Sequence, residues 1–165
     1  MHLDDESDVA IYEDARSLAN VAAWSVELQI HRLKSDKAEI PDFVMQPVVD
    51  FHFLVIALTR LKKAAELAAK TTDISTYLKQ FDDRLPNLNN IRNVFEHIDE
   101  YRLGKGHNKN VRANELQTLV LDHDRIAWLS YEINLTEALQ ASKDLFNAIR
   151  DNPPNAYLKR CINLS

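Results

Sequence analysis

Arg92, Asn93, Glu96, His97 and Tyr101 fall in one short, strongly polar stretch, Asn90 to Tyr101. A histidine titrates near neutrality and can take up or release a proton under ordinary conditions. A guanidinium matches two phosphate oxygens at once. Arginine and histidine together can therefore hold an anion and move a proton beside it. Ordinary surface helices carry their charge on one side, whereas this stretch carries it nearly all round, as a helix does when part of its polar face is used.

Helical geometry limits how these residues meet. Residues four apart share a face, so Asn93, His97 and Tyr101 form one polar line and Arg92, Glu96 and Glu100 the next, with Arg92 and Glu96 placed for an ion pair. Arg92 and His97 lie about 140° apart around the axis. They converge on one small target if Arg92 sits in a loose first turn, or if a second subunit supplies a matching pair across a two-fold axis.

Arg92-Asn93-Val94-Phe95-Glu96-His97 resembles the Arg-x4–6-His motif of HEPN domains, in which a polar residue often follows the arginine. The resemblance implies an up-and-down helical bundle that dimerises through its motif helices. It also implies a metal-independent endoribonuclease or RNA-binding protein of the toxin, phage-defence or RNA-processing kind, with a protein antitoxin or regulatory partner. In that reading His97 works on the ribose 2′-OH or the leaving oxygen, Arg92 holds the scissile phosphate and Asn93 orients one of them, with Glu96 and Tyr101 in support. RNA carries its own nucleophile, so the chemistry requires no cofactor and no metal. A noncatalytic reading explains the same residues: a dimeric bundle that binds a protein partner, with Arg92 and His97 engaged in internal ion pairs.

Other candidate groups are placed by their surroundings. Lys105, His107, Lys109 and Arg112 form a basic loop directly after the polar helix, where they would guide an RNA strand toward it. Arg102 and His107 repeat the motif spacing, but Gly104 and Gly106 between them do not suit a helix. His52 reads as a core or interface histidine, and Arg60, Lys62 and Lys63 as a solvated basic turn. His123, flanked by Asp122 and Asp124, lacks a zinc-type spacing. Trp128 and Tyr131 read as packing residues.

The elements that must position these groups are helical. Two glycines in 165 residues disfavour a sheet-rich or nucleotide-loop fold. A hydrophobic fraction of 45% supports one domain with a real core. The net charge of -5 excludes a broad nonspecific grip on nucleic acid but allows a local basic site. Absence of a long apolar run, an acidic start over residues 1–6 and a single Cys161 point to a cytoplasmic chain with no membrane span.

A first helix is predicted from Ser7 or Asp8 to Lys34, with Tyr12, Ala15, Ala19, Ala22, Val26 and Leu33 inward and Val21, Trp24 and Leu28 widening the stripe. The second, entered at Asp42 or Gln46 before Pro47, is apolar nearly all round from 51 to 58, and a second copy of the chain would supply part of its cover. A third runs from Ile74 to Leu85 behind Asp73, with Tyr77, Leu78, Phe81 and Leu85 inward. The polar helix continues to Gly104. Leu116–Leu121 and Arg125–Tyr131 form one β-hairpin about Asp122-His123-Asp124. Thr136 caps a last helix ending near Arg150, and the tail from 152 to 165 is irregular. The predicted fold is thus mainly α, an up-and-down bundle of about five helices with a β-hairpin inserted before the last, forming a homodimer through the motif helix and the second helix.

Overall fold

The computed structural model describes residues 5–35 and 45–163. The fold is mainly α, about 70% helical, with a small antiparallel sheet inserted before the last two helices. In chain order the elements are α1 (Asp5–Lys34), α2 (Gln46–Ala68), α3 (Ser75–Arg84), α4 (Leu88–Glu96), α5 (Ile98–Arg102), a 3-10 turn (Ala113–Glu115), β1 (Leu119–Asp122), β2 (Arg125–Trp128), β3 (Tyr131–Asn134), α6 (Leu135–Asp151) and α7 (Asn155–Asn163). The entry to α2 at Asp42 lies outside the described residues; Gln46 opens α2 with Pro47 in its first turn.

The two long helices form the frame. Val9, Tyr12, Ala15, Ala19, Ala22, Val26, Ile30 and Leu33 of α1 are buried at gaps of three and four. The three alanines let α2 approach closely along Leu54, Leu58, Leu61, Ala65 and Ala68, which are fully buried. Arg32 closes the loop-side end of this pair: its Nε lies 2.9 Å from Asp50 Oδ1. Asp50 is buried, and Gln46 donates to its other oxygen at 3.3 Å. At the far end of α1 the Tyr12 hydroxyl donates to the Ile149 carbonyl at 2.9 Å, tying the helix to α6. One continuous core runs from α1 through α2, α4 and the sheet to α6.

Several local features depart from the sequence reading. The predicted hairpin forms as β1–β2, and a third strand, β3, extends it into a sheet of order β1-β2-β3. Arg125–Tyr131 is interrupted because Leu129 adopts φ 58, turning the chain so that Trp128 pairs with Tyr131. Leucine rarely occupies that region, so no glycine or asparagine announces the turn. The cap of α6 is Asn134, whose side chain accepts from the Glu137 N–H at 2.8 Å, while the Thr136 hydroxyl bonds to Asp124 instead. Tyr77 lies at the surface of α3; Phe81 and Leu85 carry that helix's buried contacts.

The C-terminal segment is helical rather than irregular. Asp151-Asn152-Pro153-Pro154 ends α6, but a proline just ahead of a helix also suits a helix start, and α7 follows it. It docks on α1 through Tyr157, whose ring meets Tyr12 edge-on at 5.0 Å and whose hydroxyl accepts from Arg16 at 2.8 Å.

Candidate anion site between the second and fourth helices

α4 is short and sharply two-sided. Leu88, Ile91, Val94 and Phe95 are buried against α2 and the sheet, leaving Arg92, Asn93 and Glu96 on the outer side. The ion pair expected from their spacing forms: Arg92 Nη2 lies 2.7 Å from Glu96 Oε1, and Nε 2.9 Å from the same oxygen.

The helix does not continue to Gly104. It breaks at His97 (φ -118, ψ 29), and α5 resumes in a new direction. The break has a packing reason. On one unbroken helix Tyr101 would share the exposed side of Asn93, yet Tyr101 is buried while Asn93 is exposed. Turning at His97 swings Tyr101 inward beneath Gly106, where its hydroxyl accepts the Asn108 N–H at 3.2 Å. Asn93, His97 and Tyr101 therefore do not form one polar line. His97 is half-exposed at the corner, its Nδ1 3.2 Å from Glu100 Oε1.

Arg92 lines a cavity with a different histidine. A cavity of about 200 Å³ between α2 and α4 is lined by His52, Thr59, Arg60, Lys63, Arg92 and Glu96, over an apolar wall of Val55, Ile56 and Phe95. His97 is not among its lining residues. His52 is held by stacking: its ring lies over Phe95 at 4.4 Å and 15°, and Phe95 lies over Trp128 at 4.2 Å and 12°. Phe51 meets both lower rings edge-on, at 5.7 and 6.2 Å. The Trp128 indole N–H in turn donates to the Leu116 carbonyl at 3.1 Å, so the sheet anchors the stack from below.

The cavity's electrostatics favour an anion. Three cations against one carboxylate leave two positive charges in a chain whose net charge is -5. Glu96 is engaged by Arg92, and among the described residues neither Arg60 nor Lys63 has an ion-pair partner, whereas neighbouring Lys62 pairs with Asp82 at 2.6 Å. Burial pushes the His52 imidazole below its ordinary value of 6.5, so the ring is neutral and able to accept a proton at neutral pH.

The remaining sequence candidates lie elsewhere. Lys105, His107, Lys109 and Arg112 are exposed, and none lines the cavity. Their loop is fastened around Asn108, which donates to the Tyr131 hydroxyl at 2.9 Å, while Lys109 Nζ donates to the Gly106 carbonyl at 3.0 Å. His123 sits in the β1–β2 turn at φ 42. Among the described residues no three or more histidine, cysteine or acidic side chains gather as a metal would require, and no helix is long and apolar enough to cross a membrane.

The signal for the cavity was present in the second helix. His52, Thr59, Arg60 and Lys63 recur at helical spacing along one side of that helix. Compared with protein-family models, curated proteins and solved structures, the chain matches none.

Proposed function

We propose that this chain binds an RNA phosphodiester in the α2–α4 cavity and cleaves it without a metal. The observation that carries the reading is the convergence of Arg92, Arg60, Lys63 and the neutral His52 on one solvent-open cavity. The three cations hold and neutralise the phosphate. His52 takes the proton of the ribose 2′-OH as that oxygen attacks phosphorus. The bond to the 5′-oxygen breaks, and the leaving oxygen receives a proton back from the imidazolium. The products are a 2′,3′-cyclic phosphate and a 5′-hydroxyl. This reading keeps the phosphate-holding role that the HEPN resemblance gives Arg92 and moves the proton transfer from His97 to His52. Arg92 then needs no second subunit to meet a histidine. The cytoplasm is the compartment in which such a chain would meet RNA.

The test is cleavage of single-stranded RNA in the presence of a chelator, with the cyclic phosphate end as readout. His52→Gln and Arg92→Ala are expected to abolish product, and His97→Ala to retain it. Loss of cleavage in His97→Ala with retention in His52→Gln would return the proton transfer to His97. The alternative, a noncatalytic bundle binding a protein partner, is favoured by one feature: Glu96 and Glu100 hold Arg92 and His97 in short-range pairs. It predicts no cleavage by any preparation, and destabilisation when either pair is cut.

A further inference from the structure

A solvent-open groove of about 440 Å³ runs between α1 and α2, within the roughly 300–1,000 Å³ typical of small-molecule sites. Its walls are apolar: Leu18 and Val21 stand on the α1 side, Phe53 and Ile56 on the α2 side, over the buried Ala22 and Ala57. Leu18, Val21 and Phe53 are each more than half exposed. Trp24 and Leu28, also exposed on α1, are not among the lining residues. The groove is therefore the size of a ligand rather than of a protein interface, which takes about 800 Å² from each partner.

Its charge lies at one end. The α2 side begins at Phe53 and reaches Arg60 and then Lys63, which the helical rise sets about 10 and 15 Å further along. The Arg32–Asp50 pair aligns the two helices antiparallel, so Ser17 of α1 lies at the same end as these cations. No carboxylate lines the groove, and among the described residues neither Arg60 nor Lys63 has an ion-pair partner.

We infer that the groove binds an amphiphilic anion, a small molecule with an apolar body about 10 Å long and one anionic group at its end. The body lies along Phe53, Ile56 and Val21, where it and they leave water together. The head group meets the Arg60 guanidinium, which takes two oxygens at once, and the Lys63 ammonium. A neutral apolar molecule would leave both cations unmatched, and a small hydrophilic anion would leave the walls wet. Only the two properties in one molecule match the groove along its length. Ile56, Arg60 and Lys63 also line the α2–α4 cavity, so such a head group competes with a phosphate there for the same two cations. The inference requires no RNA and stands apart from that reading.

The experiment is isothermal titration calorimetry of the full chain with three probes: octanoate, 1-octanol, which has the tail without the charge, and acetate, which has the charge without the tail. Octanoate is expected to bind one per chain, roughly 10-fold tighter than 1-octanol, and acetate not measurably. The double variant Arg60→Gln, Lys63→Gln should bring octanoate down to the affinity of 1-octanol and leave 1-octanol unchanged. Ser25→Trp, which fills the middle of the groove, should abolish binding of both with helical circular dichroism retained. Should that variant not fold, Val21→Glu on the exposed wall should weaken octanoate by a similar factor. Arg92→Ala alters the cavity alone and should leave octanoate affinity as it was, even where it abolishes an RNA response. Octanoate binding no tighter than 1-octanol, full affinity in the double variant, or loss in Arg92→Ala would each overturn the inference. So would absence of binding together with self-association in sedimentation velocity, which would give the groove to a second chain.

Discussion

If an RNA backbone enters the α2–α4 cavity, its affinity must depend on salt in proportion to the cations that meet phosphate. Neutralising Z phosphates of a single strand releases counterions so that log K falls with log salt at a slope near -0.7Z. Arg60, Lys63 and Arg92 line the cavity together, which gives a slope of about -2 and a loss of about 20-fold between roughly 50 and 200 mM salt. Removing one of the three should reduce the slope to about -1.4 and the loss over that range to about 7-fold. Glu96→Gln should act in the opposite sense. It removes the carboxylate that bonds Arg92 at 2.7 Å, so the guanidinium is freed for phosphate and binding tightens. The assay is fluorescence anisotropy of an end-labelled single-stranded RNA, titrated at several salt concentrations against wild type, Arg60→Ala, Lys63→Ala, Arg92→Ala and Glu96→Gln. A contrasting set, Lys105→Ala, Lys109→Ala and Arg112→Ala, reports on the exposed loop. Slopes unchanged in the cavity set but flattened in the loop set would place the strand over the loop and refute the cavity as its site.

Phe95→Ala removes the middle ring of the stack, which is 9% exposed and contacts His52, Trp128 and Phe51; a cost of about 3 kcal/mol is expected from a large-to-small core change, lowering the melting temperature by roughly 6–12 °C in a domain of this size, and a melt within about 2 °C of wild type would show the stack carries little packing. His52 has its imidazole held below the ordinary value of 6.5 by burial. The unfolded chain therefore binds the proton more readily, so the contribution of His52 is full above 6.5 and is lost as pH falls below it. Melting curves at descending pH should show that loss in wild type and a shallower one in His52→Phe, which keeps the stacking and cannot titrate; equal pH dependence would contradict the burial. At Gly106 a Cβ would land on the Tyr101 ring, so Gly106→Ala should destabilise by about 2 kcal/mol through overpacking, measurable by denaturant unfolding, and an unchanged midpoint would mean Tyr101 is free to move aside.

The helical frame was legible because burial repeats at the helical period. The α1 stripe Tyr12, Ala15, Ala19, Ala22, Val26 and Leu33 is buried as its spacing implies. What escaped were changes of direction made without the usual signals. Leu129 turns the chain at φ 58 where glycine or asparagine would have marked a turn. His97 leaves the helix with no proline or glycine beside it, and only the burial of Tyr101 below it supplies the reason. Pro153-Pro154 reads as a stop, and serves equally as the lead-in to α7.

The same asymmetry explains why only Arg92 among the cations lining the cavity stands out in the sequence. Arg92 was found because the charged stretch around it is local in sequence, and its ion pair with Glu96 follows from a spacing of four. Its partners were not found because they come from α2, roughly thirty to forty residues earlier, and each looks ordinary alone: His52 a core histidine, Arg60 and Lys63 a solvated turn. Only the packing of α4 across α2, driven by Phe95 seeking cover between His52 and Trp128, brings them opposite Arg92. A burial requirement at one aromatic residue thus sets which histidine the arginine meets. Moving that ring is therefore the change by which stability and anion binding should fail together, whereas removing any one cation should touch binding alone.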